Sequence, residues 1–352
     1  MTNTFPIATA QVQTTLAALA YAADTRGYSL PPKLLGEKDT YGKEIKNGRT
    51  RKFPSMDVVK ARIQAQLASG KYATGTDWSL VWGPIETTWS DNLVYIAKNS
   101  VDGALAVCLR GTTTEFLSRV EDIPTGQTTF PNGNKIGATV GTEFYNALHE
   151  ILNATDPVTG TTIFGYLAGN ITKGQTVYVN GHSQGAALVP MAMCALKNGW
   201  NIHIGIAANF KGFAIAPPTS GNPIFSQWVN DNLDCWFIVN PLDIVPLGYA
   251  DIANVRKDDI PGPLPGGWEG IILGAAIDIV EGDAYVSGPW AQPSQRAITQ
   301  RVPLTVGTFL TMIGDQHNHN SYLHLLGAPQ ISNDAAGTSP MTGAVTPPYV
   351  TT

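Results

Sequence analysis

The sequence predicts an α/β protein with a mostly parallel central sheet and helices on both faces. Three observations lead there. Short apolar runs without polar alternation are interleaved with longer segments of helical periodicity, the pattern of strands buried on both faces and joined by crossover helices. Hydrophobic residues fill 43% of the 352 positions and charged residues 14%, enough apolar surface for a large core. The 36 glycines and 24 prolines require many turns, so long connections should carry much of the chemistry.

In chain order, a helix is predicted from Ala10 to Ala23, and a second from Met56 to Leu67, behind a Ser55 cap and ahead of Gly70. Residues 1 to about 75 therefore read as an N-terminal helical segment. Its basic stretch, Lys43, Lys46, Arg49, Arg51 and Lys52, reads as a solvated loop. Ala104 to Leu109 is an apolar strand, and Thr142 to Leu152 a helix. Thr176 to Asn180 is the next strand, followed by a helix from just after Ser183 to about Leu196, which Pro190 should kink. Gly212 to Ala216 and Cys235 to Asn240 are two further buried strands. Residues 1–335 read as one domain without internal repeats, and 336–352, rich in Thr, Pro and Gly, as a flexible tail.

The formal net charge of −5 argues against a nucleic-acid partner, which needs a basic face. The longest apolar stretch, Ile271 to Ile277, stops at Asp278, short of the ~20 residues that span a membrane, so the protein should not be integral to one. No basic start followed by an apolar run is visible in this numbering, so no classical signal peptide is expected and the compartment stays open. Cys108, Cys194 and Cys235 each sit in an apolar run and read as small buried hydrophobes rather than as a disulfide framework or metal ligands.

The chemistry centres on Gly181-His182-Ser183-Gln184-Gly185, a GxSxG between an apolar strand and a helix. That context is the condition for a nucleophile elbow, in which a tight turn lifts the serine out at a helix N-terminus and the flanking glycines make room for it. A serine hydroxyl needs a base, and the base an acid to orient it. Ligands bind at the carboxyl ends of parallel strands, which selects Asp243, held between Pro241 and Pro246 after the strand from Cys235. Asp231 and Asp234 precede that strand and lie at its wrong end. His317, His319 and His324 cluster around Tyr322. His324 falls inside a helix begun near Asn318. His317, in a loop just before the Asn318 cap, is the first choice of base, with His319 as the alternative. A metal site of Asp315, His317 and His319 lacks a further matching ligand downstream, and neither a metal nor a cofactor is expected. The oxyanion of an acyl-transfer intermediate would meet the Gln184 N–H. A second donor would come from Thr112, after the strand that ends Val107-Cys108-Leu109. Arg110 reads as structural, paired with Asp122.

Together these segments resemble the class 3 lipases, the fungal triacylglycerol-lipase-like branch of the α/β hydrolases, over roughly residues 80 to 325. The resemblance is carried by Leu109-Arg110-Gly111-Thr112, by the elbow around Ser183, by Asn240-Pro241-Leu242-Asp243-Ile244-Val245-Pro246, and by a late His before Tyr322. It implies the α/β-hydrolase fold, a triad of Ser183, Asp243 and the late His, and an oxyanion hole of the Thr112 side chain and backbone with the Gln184 N–H. It also implies a lid over about Thr113 to Gly137, in which Phe116, Leu117 and Val120 would cover the pocket or meet a lipid–water interface transiently. A long insertion over 251–316 would add a cap, with a second cover at Gly270 to Ile279. The fungal spacing, a His three residues before an aromatic, points to His319; related plant and bacterial sequences, with five residues before a Tyr, point to His317. The implied activity is serine-dependent hydrolysis of carboxylic esters, acylglycerols foremost. A phospholipase, or a feruloyl-type or small-ester esterase, would share the triad. A non-catalytic lipase-like interaction protein would keep the fold without the reaction.

Overall fold

The computed structural model describes residues 5–22, 55–87, 92–111, 126–131, 137–258 and 309–331, with parts of 260–294. Thr112, Asp122, the lid residues Phe116, Leu117 and Val120, the basic stretch from Lys43 to Lys52, most of 270–279 and the tail 336–352 lie outside them.

The chain opens with helices α1 (Ile7–Ala22) and α2 (Met56–Ala68). Ser55 caps α2 by accepting from the Val58 N–H, and Val59, Ile63 and Leu67, spaced by four, form its buried stripe. Strands β1 (Trp78–Glu86), β2 (Leu93–Asn99) and β3 (Leu105–Arg110) follow as an antiparallel meander. A short pair, β4 (Gln127–Thr129) and β5 (Thr139–Gly141), leads into α3 (Thr142–Asn153) and α4 (Ile163–Asn170). Strand β6 (Thr176–His182) is followed at once by α5 (Gln184–Asn198), which runs on through Pro190. The small hairpin β7 (Gly199–Trp200) and β8 (His203–Ile204), then β9 (Asn209–Ile215), α6 (Pro223–Asn232) and β10 (Cys235–Ile238) complete the sheet region. Helices α7 (Asn254–Lys257), α8 (Phe309–His317) and α9 (His319–Leu325) come last.

The main sheet runs β1-β2-β3-β6-β9-β10. Its β3-β6, β6-β9 and β9-β10 pairings are parallel, while β1-β2 and β2-β3 are antiparallel. The parallel strands are buried on both faces, which explains their unbroken apolar runs. In β3, Leu105, Val107 and Leu109 join the core under α3 and α5, whereas Ala106 and Cys108 join the core under α1 and α2. Each face therefore takes every second residue of the same strand.

The antiparallel β1 escapes a search for apolar runs, whereas β2 carries one over Leu93–Ala97 that the sequence reading passed over. The β1 sequence, Trp-Ser-Leu-Val-Trp-Gly-Pro-Ile-Glu, is interrupted by Gly83 and Pro84, and its register with β2 shifts on either side of Trp82. A proline is tolerated because β1 lies at the sheet edge, where one side of the strand needs no ladder bond. Arg110 is fully buried and pairs with Glu86 of β1 at 3.1 Å, a partner that the sequence reading did not select because Glu86 is distant in the chain and follows that interrupted strand.

Among the described residues no helix is long and apolar enough to cross a membrane. All three cysteines are buried free thiols, packed as small hydrophobes in the two cores that flank the sheet. Burial pushes the Cys108 and Cys194 thiols up to about 12.

Candidate active site

Three parallel strands deliver the candidate site to one edge of the sheet. The β3-β6 pairing ends at Arg110 and His182, so Gly111 and Ser183 are the next residues of each chain. Asp243 follows β10 at the same edge. Ser183 has φ 59° and ψ −132°, a conformation a non-glycine residue adopts only when its surroundings impose it. Its N–H is held by the Ile215 carbonyl at 3.0 Å, while its own carbonyl accepts from Ala186 at 2.8 Å as α5 begins.

The glycines around the serine answer to crowding by backbone. A Cβ on Gly181 would stand 2.4 Å from the Gly185 oxygen, and one on Gly185 would stand 2.3 Å from the Leu109 oxygen. Gly111 belongs to the same knot, since a Cβ there would stand 2.8 Å from both the Gln184 and Gly185 nitrogens. The strand end of β3 is thus pressed against the first turn of α5.

The Ser183 Oγ lies 2.8 Å from His317 Nε2, and His317 Nδ1 lies 2.9 Å from Asp243 Oδ2. An ionised carboxylate only accepts, so Nδ1 carries the proton and Nε2 presents a lone pair to the serine O–H. Asp243 is buried and takes two more bonds: the Tyr322 O–H donates to Oδ2 at 2.7 Å and the Val245 N–H to Oδ1 at 2.9 Å. Tyr322 in turn accepts from the Asn240 N–H at 3.1 Å. The Asn240 side chain donates to the Gln316 backbone carbonyl and side-chain oxygen at 3.2 and 2.8 Å, fixing the residue before His317.

His317 is the last residue of α8 rather than a loop residue, because α8 runs up to Asn318, which then caps α9 by accepting from Asn320. His319, one position into α9, is buried and stacks on Tyr21 with ring centroids 5.6 Å apart. His317 is therefore the imidazole in contact with Ser183. His324 lies within α9, as its spacing predicts.

Gln184 opens α5, where the first N–H groups have no intrahelical acceptor. Its side chain is buried and points Nε2 at Glu143 Oε1, 3.4 Å away. Thr112, the other expected oxyanion donor, lies outside the described residues. No group of three or more His, Cys, Asp or Glu able to hold a metal occurs among the described residues.

His182, the variable residue of the elbow, has a part that motif reading overlooks. Its Nε2 lies 2.8 Å from the His317 carbonyl oxygen; a carbonyl only accepts, so Nε2 carries the proton. The imidazole is buried, and its Nδ1 has no hydrogen-bond partner among the described residues. Burial first, and then the neighbouring His317 and His319, hold its pKa well below the ordinary 6.5. It is a neutral tether for the backbone of His317.

Residues 106–250 match the family described as Lipase (class 3). Through this segment the chain is similar to the class 3 lipases. The match contains Ser183, Asp243 and the two strand ends, while His317 and α1 lie beyond it. Among solved structures, M37 lipase is 18% identical with a TM-score of 0.66, over 87% of this chain and 90% of its own. A mutant form of MDLA from Penicillium cyclopium is 16% identical with a TM-score of 0.48, over 94% and 96%. The mono- and diacylglycerol lipase from Aspergillus oryzae is 15% identical with a TM-score of 0.45, over 87% and 84%. No curated protein sequence matches the chain. At such identities the first likeness speaks for the fold alone, an α/β fold with a mostly parallel central sheet, consistent with that of the α/β-hydrolase lipases.

Proposed function

We propose that this protein is a class 3 lipase that hydrolyses carboxylic esters, acylglycerols foremost, through an acyl-enzyme on Ser183. The observation that carries the reading is the unbroken chain from Ser183 Oγ to His317 Nε2 and from His317 Nδ1 to the buried Asp243 carboxylate. Ser183 Oγ attacks the ester carbonyl carbon as His317 Nε2 takes its proton. The oxyanion that forms is met by the Gln184 N–H at the positive end of α5, with Thr112 as second donor. Collapse of the intermediate breaks the bond to the alcohol, which leaves with the proton from His317. Water then attacks the acyl-enzyme, His317 accepts its proton, and Ser183 is released with that proton as the acid departs. Asp243 holds the imidazole tautomer throughout, and the C-terminal end of α8 favours the transient imidazolium.

Ser183→Ala should lower turnover of p-nitrophenyl esters by several orders of magnitude, as loss of a triad nucleophile does elsewhere. It should also abolish labelling by a fluorophosphonate. Near-normal turnover in that variant would overturn the assignment. The lipid substrate is tested by a chain-length series with and without an emulsion interface. A rate that rises with long chains at the interface supports a lipase, and a preference for short soluble esters replaces it with an esterase.

A further inference from the structure

Beyond the matched segment, α1 sends one side chain to the heart of the site. Tyr21, on the last turn of α1, is buried, and its hydroxyl accepts from the Gly111 N–H at 3.0 Å and donates to the His182 carbonyl at 3.0 Å. Gly111 follows the last paired residue of β3, and His182 is the last paired residue of β6. One hydroxyl therefore bridges the two strands where their own ladder ends. It joins the residue before Thr112 to the residue before Ser183.

Both groups it serves are buried backbone groups of opposite kind, an N–H and a carbonyl, and only a side chain that accepts and donates at one atom satisfies both. The ring is fixed as well. It meets His182 edge to face at 5.2 Å and stacks on His319 at 5.6 Å. The rest of α1 is anchored independently: Asn180 Nδ2 donates to Gln13 Oε1 at 2.8 Å, Gln11 Nε2 donates to the Leu326 carbonyl at 2.8 Å, and the Tyr95 hydroxyl donates to the Leu16 carbonyl. Gly111 is pressed against the Gln184 and Gly185 nitrogens, so a shift of Gly111 is a shift of the chain around the Gln184 N–H.

We infer that Tyr21 is a positioning residue for ester hydrolysis, setting the gap between the strand end that leads to Thr112 and the elbow that carries Ser183. The inference rests on the hydrolase reading of the site. It assigns to the N-terminal helix, outside residues 106–250, a part in transition-state stabilisation, through the placing of donors rather than by contact with the substrate.

The test compares Tyr21→Phe with Tyr95→Phe, which removes another buried hydroxyl bond to α1, the one to the Leu16 carbonyl. Rates are referred to the concentration of Ser183 titrated with a p-nitrophenyl phosphonate, so that unfolded protein does not count. Tyr21→Phe should lower kcat by about ten- to a hundredfold, the effect of a small misplacement of reacting groups. KM should stay within about twofold and the pH profile unmoved, because the His317–Asp243 pair is untouched and substrate binding is not at stake. Tyr95→Phe should keep kcat while lowering the melting temperature. In the unaltered protein the Gly111 amide should exchange slowly with deuterium, a measurement that needs no variant to fold. A Tyr21→Phe kcat within about twofold of the parent, an equal kcat loss in Tyr95→Phe, or rapid exchange at Gly111 would each overturn the inference. A parent protein with neither turnover nor phosphonate labelling would overturn the hydrolase reading itself, and this inference with it.

Discussion

At the scale of single residues, Ser183 is set by backbone crowding and His317 by its bonds to Asp243 and His182. Gly181, Gly185 and Gly111 leave no room for a methyl group because each faces main-chain atoms, which cannot rotate aside as a side chain can. Gly185→Ala should therefore fail to give soluble folded protein, checked by expression yield and circular dichroism. The histidines separate in the same way. His317→Asn should lower kcat by about a thousandfold or more, as loss of a triad member does. His319→Asn removes a ring stacked on Tyr21 and should cost stability while sparing most of kcat, read from titrated rates and thermal melts. Tyr322→Phe would leave the Asp243 carboxylate one bond short and the Asn240 N–H unpaired, a loss of about 1–3 kcal/mol in a chemical denaturation curve.

At the scale of elements, what reading by pattern recovers depends on how each element is buried. Strands covered on both faces, β3, β6, β9 and β10, show as apolar runs because the local sequence must be apolar throughout. Helix α2 shows by its cap and its stripe of Val59, Ile63 and Leu67. Ser55→Ala should lower stability by about 0.5–1 kcal/mol through loss of the bond to Val58, with kcat unchanged, since α2 lies away from Ser183. Strand β1 does not show: it is broken by Gly83 and Pro84, and its identity as a strand is fixed by pairing along β2. The end of α8 was likewise hidden, since nothing local distinguishes a histidine in the last helical turn from one in the loop just before Asn318.

At the scale of the whole molecule, the buried histidine behind the nucleophile ties stability to pH. In the folded protein His182 stays neutral, held so by burial, while in the unfolded chain it titrates near the ordinary 6.5. As the pH falls through about 6.5 the unfolded state takes up a proton that the folded state does not, so stability is lost from there downward, by up to about 1.4 kcal/mol per pH unit. The groups facing it, His317, His319, Tyr21 and Tyr322, supply no carboxylate in direct contact to offset this. Half-buried His324, also held below its ordinary value, pulls the same way. Melting temperatures measured from pH 7.5 to 5 should fall more steeply for the parent than for His182→Asn, and parallel curves would refute the assignment. The three cysteines should resist a thiol reagent until the protein unfolds, because burial keeps them protonated as well as out of reach.

The sequence by itself determined the α/β class, the strand-turn-helix around Ser183 and the two candidate chain segments for acid and base. Each of these is dictated by local features: apolar runs, glycine spacing and the order of motifs. Which imidazole meets Ser183, that Glu86 receives Arg110, and that Tyr21 bridges Gly111 to His182 were decided only by the tertiary structure. The physical reason is separation: Tyr21 and His182 stand 161 residues apart, and His317 and Ser183 stand 134 apart. Such pairs meet only when α1, α8 and the sheet edge are packed together, and nothing in the composition of either local segment records the other.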